Sequence, residues 1–392
     1  MSEKPVIPKQ GAKEANRASR RGTVLLTLLL GLALIAILQF AWSHRRSELD
    51  VRLHSDSEEA MAALEDILAK TPPEQRKPLL LNLREDPNPG TRYAAVDALG
   101  KEKGADVADA LEQAYQDSAS IVRQRAMEVL PGIDRDRGLH LQLAALRDED
   151  YWMRDAASLQ MALLIGKPGS SVDKRALPML VKALDDPDEA VQVMSLTAIK
   201  KLTGQKWIYP GLGSIEKKKA VLDSCRKWWA ANQSAWQAPV GFADVTPVRP
   251  TRSDPAPNFA LNDIEGHRIS LSGQKGHITL LNFWGTWCGP CQKEVPDLIR
   301  LDQEYHGQGV DIIGIALSEK KEKYTRWCQT HGVTYRQAFS TDSITEEFGD
   351  IHEVPVSILL DAQGRIRYRW EGERNYATFR AAIEHLRSEA RP

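Results

Sequence analysis

Cys288 and Cys291, separated by Gly289 and Pro290, are the residues of this chain whose type and spacing most clearly do chemistry. They follow the apolar run Ile278-Thr279-Leu280-Leu281-Asn282-Phe283-Trp284. They open an amphipathic stretch with Val295, Leu298, Ile299 and Leu301 on its apolar side. Two thiols so spaced cycle between dithiol and disulfide. The first sits where a helix begins, so unpaired backbone N–H groups and the positive dipole end stabilise its thiolate. That thiolate attacks a partner's disulfide, and the second thiol resolves the mixed disulfide. Zinc is the competing use of such a pair. It wants four ligands, and neither histidine nor a second cysteine pair stands at suitable spacing, so no metal is expected. The redox group is then the Cys288–Cys291 disulfide itself, with no separate cofactor.

Composition sets the surroundings. The chain has 392 residues, enough for two or three domains. Its 52 lysines and arginines nearly balance 53 aspartates and glutamates, so no bulk charge points to nucleic acid. Four cysteines are too few for a disulfide-stapled scaffold and suit one redox pair with two bystanders, Cys225 and Cys328.

Thr23 to Trp42 carries no charge over 20 residues. At ~1.5 Å per residue a helix of that length covers the ~30 Å hydrocarbon core, with Trp42 at the interface. Six basic residues from Lys4 to Arg21 precede it, against Arg45, Arg46 and Arg52 after it. The charge bias predicts a single-pass anchor in the lipid bilayer with a cytoplasmic basic tail, residues 1–22. A spacer, residues 43–57, then leads everything from residue 43 to 392 to the far side of the membrane. A cleaved signal peptide is the alternative, but Gln39-Phe40-Ala41 makes a poor cleavage site.

From residue 58 to 236 the chain is rich in helix formers, and it repeats. Arg92, Arg123 and Arg154 stand 31 residues apart, each shortly after an aspartate-bearing turn, and a fourth copy around Val191-Gln192 follows after 38. Each unit has room for two short helices with the aspartates capping the second. Ala95, Ala126 and Ala157 permit close helix approach. The pattern resembles HEAT-type repeats, an all-α solenoid. Stacked helix pairs form an extended face that binds a partner, or a rigid spacer. The repeated arginines are expected to pair with neighbouring aspartates.

Residues 237–256 hold Pro239, Pro247, Pro250 and Pro255, a composition expected to give a semi-rigid connector. From 257 to 392 the pattern changes. A hairpin turns at Asp263-Ile264-Glu265-Gly266. Buried strands are expected at Ile278–Trp284 and Val310–Leu317. Helices are expected at the cysteine pair, at Lys323–His331 and at Tyr376–Arg387, and a strand pair at Ser357–Leu360 and Ile366–Trp370. The order β-α-β-α-β-β-α after a hairpin is an α/β, thioredoxin-like fold.

This last third resembles the TlpA-like, membrane-tethered thioredoxin family. The resemblance rests on Pro257-Asn258-Phe259, Leu281 through Cys291, Glu294, Pro296 and Val354-Pro355. The repeats are not part of that family's usual plan. The resemblance implies an exposed nucleophile at Cys288, a buried resolving thiol at Cys291 and shielding of the sulfurs by Trp287. It implies a cis Val354–Pro355 bond whose Val354 backbone pairs with an extended substrate, and an acid, Glu294, that tunes thiol pKa and moves protons. Gly289 and Pro290 set the turn and leave the thiolate less stabilised than charged residues or histidine would there, which favours a reductant. Asn282 stands where thioredoxin has a buried carboxylate. The expected function is extracytoplasmic disulfide reduction at a bacterial inner membrane, facing the periplasm. Its partners are a disulfide-containing client protein and a membrane electron donor, with the repeats as a client-binding arm. A redox-regulated scaffold is the alternative. A thiol peroxidase wants threonine three residues before its cysteine, where Gly285 stands.

Overall fold

The aspartate turns of the repeats build the first half of the fold. In a computed structural model, residues 61–390 are described, apart from 63, 168, 169, 171, 212, 237–241, 243, 244 and 350. The expected tail, membrane span and spacer lie outside the described residues. Among the described residues no helix is long and apolar enough to cross a membrane. Helices run from α1 (64–70) through α2 (Pro73–Leu83), α3 (Pro89–Leu99), α4 (Ala105–Ala114), α5 (Ser120–Ile133) and α6 (Arg135–Ala145). They continue with α7 (Tyr151–Leu164), α8 (Leu177–Lys182), α9 (Glu189–Thr203) and α10 (Ile215–Asn232).

The same turn precedes α3, α5, α7 and α9. Asp86, Asp117, Asp148 and Asp186 each accept from the backbone N–H two residues on, at 2.8–2.9 Å. The cap comes from that second residue, not from the turn aspartate: Asn88, Asp150 and Asp188 each accept from a first-turn N–H of their helix. Ala119 breaks the series and caps nothing. In α3, α5 and α7 the arginine one turn in reaches back to its own turn, and in α9 Gln192 does so. Arg92 Nη1 donates to the carbonyls of Asp86 and Pro87, Arg123 to those of Asp117 and Ser118, and Arg154 to those of Asp148 and Glu149. Arg92 also forks onto Asp117, and Arg154 onto Asp186, both in the next unit. These forks tie neighbouring units together at two of the three repeated arginines; Arg123 donates to the carbonyls of its own turn instead. Ala95, Ala126 and Ala157 are fully buried where the helices meet.

The second half is a six-stranded sheet in the order β1-β8-β7-β4-β5-β6. Its strands are β1 (Asp254–Pro255), β4 (Ile278–Trp284), β5 (Val310–Ala316), β6 (Arg336–Phe339), β7 (Val356–Leu360) and β8 (Arg365–Glu371). A separate hairpin pairs β2 (Ala260–Asn262) with β3 (Arg268–Ser270). β4 is buried along its whole length, parallel to β5 and antiparallel to β7. Its side chains alternate between two cores: Leu281 and Phe283 join the hairpin side, and Ile278 and Leu280 join the side covered by α11 (Gly289–Tyr305) and α14 (Tyr376–Glu389). With α12 (Lys321–Thr330) and α13 (Asp342–Glu347) this is a thioredoxin-like α/β domain. The expected strand order lacked β6 and α13. β6 is short and carries the buried polar Gln337, so it shows no apolar alternation; it forms because the open edge of β5 needs pairing.

From residue 245 on, the proline-rich segment, expected as a connector, is a strap laid on the repeats. The backbone N–H groups of Thr251 and Arg252 donate to the Gln116 carbonyl at 3.0 and 3.1 Å. Arg249 pairs with Glu149, and Arg252 with Glu85 and Asp254. The strap ends as β1 on the edge strand β8. Further along that edge the repeats take over: Arg369 N–H donates to the Ser118 carbonyl at 2.8 Å, and Ala119 bridges Arg369. An edge that would otherwise offer free backbone groups is thus closed by the second repeat.

Candidate active site

β4 ends at Trp284, and the chain turns through Gly285, Thr286 and Trp287 into α11. Cys288 is the N-cap of that helix, with extended backbone (φ −91°, ψ 112°), and its sulfur accepts from the Cys291 N–H at 3.1 Å. The sulfur does what a serine or aspartate oxygen does at an ordinary N-cap, and it is held beside the positive end of a 17-residue helix. Pro290 lies in the first turn, where its missing N–H costs nothing, and Gly289 is open to solvent. Cys288 and Cys291 form a disulfide with their Cα atoms 5.2 Å apart.

The expected exposed nucleophile is largely covered: Cys288 is 5% exposed and Cys291 1%. What covers Cys288 is the peptide before Pro355. The Val354–Pro355 bond is cis, and the Val354 carbonyl oxygen lies 3.3 Å from Cys288 Sγ. Trp287 is the large exposed side chain of the motif, at 53%. Its indole is folded onto Gly285 and donates to the Leu317 carbonyl at 3.2 Å. A β-carbon on Gly285 would sit 2.6 Å from Trp287 Nε1, so the fold-back demands glycine there. The tryptophan packed in one apolar cluster with both sulfurs is Trp284. Gln337 Oε1 accepts from its indole N–H at 3.1 Å and from the Tyr324 hydroxyl.

Glu294 stands one turn after Cys291 on the same face of α11. It is 2% exposed. Asn282 Nδ2 donates to one of its oxygens at 3.2 Å, and the backbone N–H of Arg374 donates to the other. Burial pushes its carboxyl up to about 8, against those two donors and the Arg374 charge, which pull it down. Asn282 divides its amide between Glu294 and Ser357. It thereby holds the acid from the position where thioredoxin carries a carboxylate of its own. An acid poised near neutrality beside a resolving thiol can take and return that thiol's proton.

Arg374 is the site residue that sequence reasoning missed. It sits in a loop after β8, 80 residues from Glu294 in the chain, and nothing in its local pattern marks it. Cys328 belongs to the dithiol's apolar cluster, and Cys225 is buried in the repeats. Burial pushes their thiols up to about 11 and about 12, as suits bystanders. Among the described residues no group of histidines, cysteines or acids is placed to hold a metal ion.

Residues 253–369 match the AhpC/TSA family, and residues 49–131 match HEAT repeats. Over 111 residues the chain is 36% identical to the thiol-disulfide oxidoreductase ResA of Bacillus subtilis, covering 28% of this chain and 62% of that protein. Over 119 residues it is 35% identical to the ResA of Bacillus thuringiensis, covering 30% and 68%. The chain thus spans a little under two thirds of the first of these relatives. A solved thiol:disulfide interchange protein of the thioredoxin family from Chlorobium tepidum is 28% identical, with a TM-score of 0.33, covering 35% of this chain and 97% of that one.

Proposed function

We propose a function on the premise that the chain belongs, through its C-terminal domain, to the thioredoxin-like thiol–disulfide oxidoreductases that include the ResA proteins. It exchanges disulfides with client proteins through Cys288 and Cys291. The observation that carries this reading is the geometry of Cys288: a sulfur at a helix N-cap, bonded to the N–H of its partner cysteine, beside the carbonyl that precedes a cis-proline. In the reduced enzyme the Cys288 thiolate attacks one client sulfur, and the other client sulfur leaves as a thiolate. Glu294, as carboxylate, takes the Cys291 proton. The Cys291 thiolate then attacks Cys288 Sγ and frees the second client sulfur. Two electrons pass to the client, and the enzyme is left with its disulfide. The backbone of Val354 is placed for an extended client segment to pair with it.

The Gly289-Pro290 pair favours the reducing direction. The charge-free stretch at residues 23–42 with its basic flank supports an anchored, extracytoplasmic enzyme. On that side it needs a membrane electron donor, because cytoplasmic reductants do not reach it. The repeats serve as the arm that positions the client, since they are fixed against the redox domain by the Ser118–Arg369 contact. Reduction of a peptide disulfide by the pre-reduced protein tests the reading. Wild type reduces it and Cys288→Ser does not; equal activity of the two would refute the assignment.

A further inference from the structure

The loop between β8 and α14 is built into the active site at one end and into the helical repeats at the other. At its active-site end, Gly372 N–H donates to the Pro355 carbonyl at 2.9 Å, and Arg374 N–H donates to the Glu294 carboxylate. One short loop therefore steadies both the cis-proline and the acid. Gly372 takes a positive φ of 83°, which bends the chain sharply enough for both contacts.

The loop's shape is imposed by the Arg374 guanidinium, which folds back on its own backbone. Its Nη1 donates to the carbonyls of Glu371, Gly372 and Glu373 at 2.9, 3.2 and 3.1 Å. That guanidinium is in turn held by the repeats. Arg374 Nε lies 2.9 Å from Asp150 Oδ1, a close ion contact whose N–H does not point along it. Both side chains are nearly buried, at 3% and 2% exposure. The ring of Trp152 lies 5.4 Å under the guanidinium, and its indole N–H donates to the Glu373 carbonyl at 2.9 Å. Ser120 Oγ is 3.4 Å from Nη2. Asp150 and Trp152 come from the third aspartate turn and Ser120 from the second.

We infer that the helical repeats complete the active site: Asp150 and Trp152 hold Arg374, and Arg374 holds the Glu294 carboxylate in its hydrogen-bonded place. Arg374, Asp150 and Trp152 are positioning residues, and they touch no reacting sulfur. The inference rests on the proposed dithiol exchange for its meaning, because the proton that Glu294 handles is that of Cys291. The groups that face Glu294 are few. They are Arg374 and Glu373 on the loop, Tyr335 just before β6, Asn282 and Ser357 on the sheet, and Cys291 on its own helix. Lys293, next in sequence, is turned outward onto Glu373. Of these, Arg374 and Glu373 are the groups whose placement depends on the repeats.

Loosening the anchor lets the loop retreat. Glu294, still packed on the sheet, then loses the Arg374 donor and charge, whose downward pull exceeds the upward push of Glu373, so its carboxyl titrates higher. The test is the titration of the Glu294 side-chain carboxyl in the full chain, followed by carbon-detected NMR with Glu294→Gln identifying the signal. Asp150→Asn is expected to raise the midpoint by about one unit. Trp152→Phe, which removes the indole donor and keeps the apolar contact, is expected to shift it in the same direction by less. It carries the test if Asp150→Asn fails to fold. Asp97→Asn removes another buried carboxylate of the repeats, paired with Arg125, that does not touch the loop, and is expected to leave the midpoint alone. An unchanged or lowered midpoint in folded Asp150→Asn or Trp152→Phe overturns the inference, as does an equal shift in Asp97→Asn. The readout is a property of the folded chain, so it stands whether or not the peptide-disulfide assay succeeds.

Discussion

Replacing Glu294 by glutamine has an effect on stability whose size follows from the site. The Glu294 carboxyl is pushed by burial from an ordinary value of 4.5 up to about 8. A raised carboxyl binds its proton more tightly in the folded chain than in the unfolded one. Its contribution to stability is therefore complete below 4.5 and is lost as pH rises through about 8. Between those limits the loss runs at about 1.4 kcal/mol per pH unit. Asp148 is also raised, to about 6 by burial, but it is present in both proteins and cancels in the difference. The window from about pH 6 to about pH 8 lies within those limits. Across it the wild type should lose about 2–3 kcal/mol more than Glu294→Gln. His385, whose proton affinity is lowered by burial, is present in both proteins and cancels in the difference. The assay is urea unfolding of oxidised wild type and variant at closely spaced pH values, with the two free energies subtracted. A flat difference across the window would refute the reasoning, because it would mean that Glu294 ionises inside the fold as easily as outside it.

Other outcomes follow from single contacts. Gly285→Ala should push the Trp287 indole off the Leu317 carbonyl, since the new β-carbon would lie 2.6 Å from Nε1. The loss should be about 1 kcal/mol in thermal unfolding, with a red shift of tryptophan emission. Arg92→Lys keeps the charge but loses the fork to Asp117 and part of the clamp on Asp86 and Pro87. It should cost about 2 kcal/mol and lower the urea midpoint. In the reduced folded protein, maleimide at neutral pH should label Cys288 well ahead of Cys225 and Cys328, whose buried thiols titrate near about 12 and about 11. Mass spectrometry of early time points reads the order.

The parts of this molecule legible in its sequence are those whose cause is local. Cys288 at a helix start and the burial of Ile278–Trp284 announce themselves within a few residues, whereas the cis Val354–Pro355 bond follows only from the family resemblance. The repeats announce themselves too, because each turn needs its own aspartate and the helix after it a side chain that reaches back, Arg92, Arg123, Arg154 or Gln192. The parts that were not legible depend on distant chain. Glu294 is expected as an acid of the site only through the family resemblance, and its partner Arg374 lies 80 residues away. β6 has no pattern of its own and is called into being by β5. The strap at 245–256 is extended, as its prolines require, yet it lies on the repeats because Gln116 offers an acceptor there. One trace of the domain contact does stand in the sequence. Ala119 replaces the Asn or Asp found at the equivalent positions 88, 150 and 188, and the backbone there pairs with Arg369. Here the missing cap falls where the backbone of the second unit joins the sheet edge.

The claim that Cys288 is the attacking sulfur and Cys291 the resolving one is tested by trapping with Cys291→Ser. The reduced variant, mixed with a peptide disulfide and quenched in acid, is predicted to carry one half of the peptide on Cys288 and none on Cys225 or Cys328. Wild type treated alike is predicted to end as the Cys288–Cys291 disulfide with both peptide halves released. A variant that forms no adduct, or forms it on Cys225 or Cys328, would contradict the account.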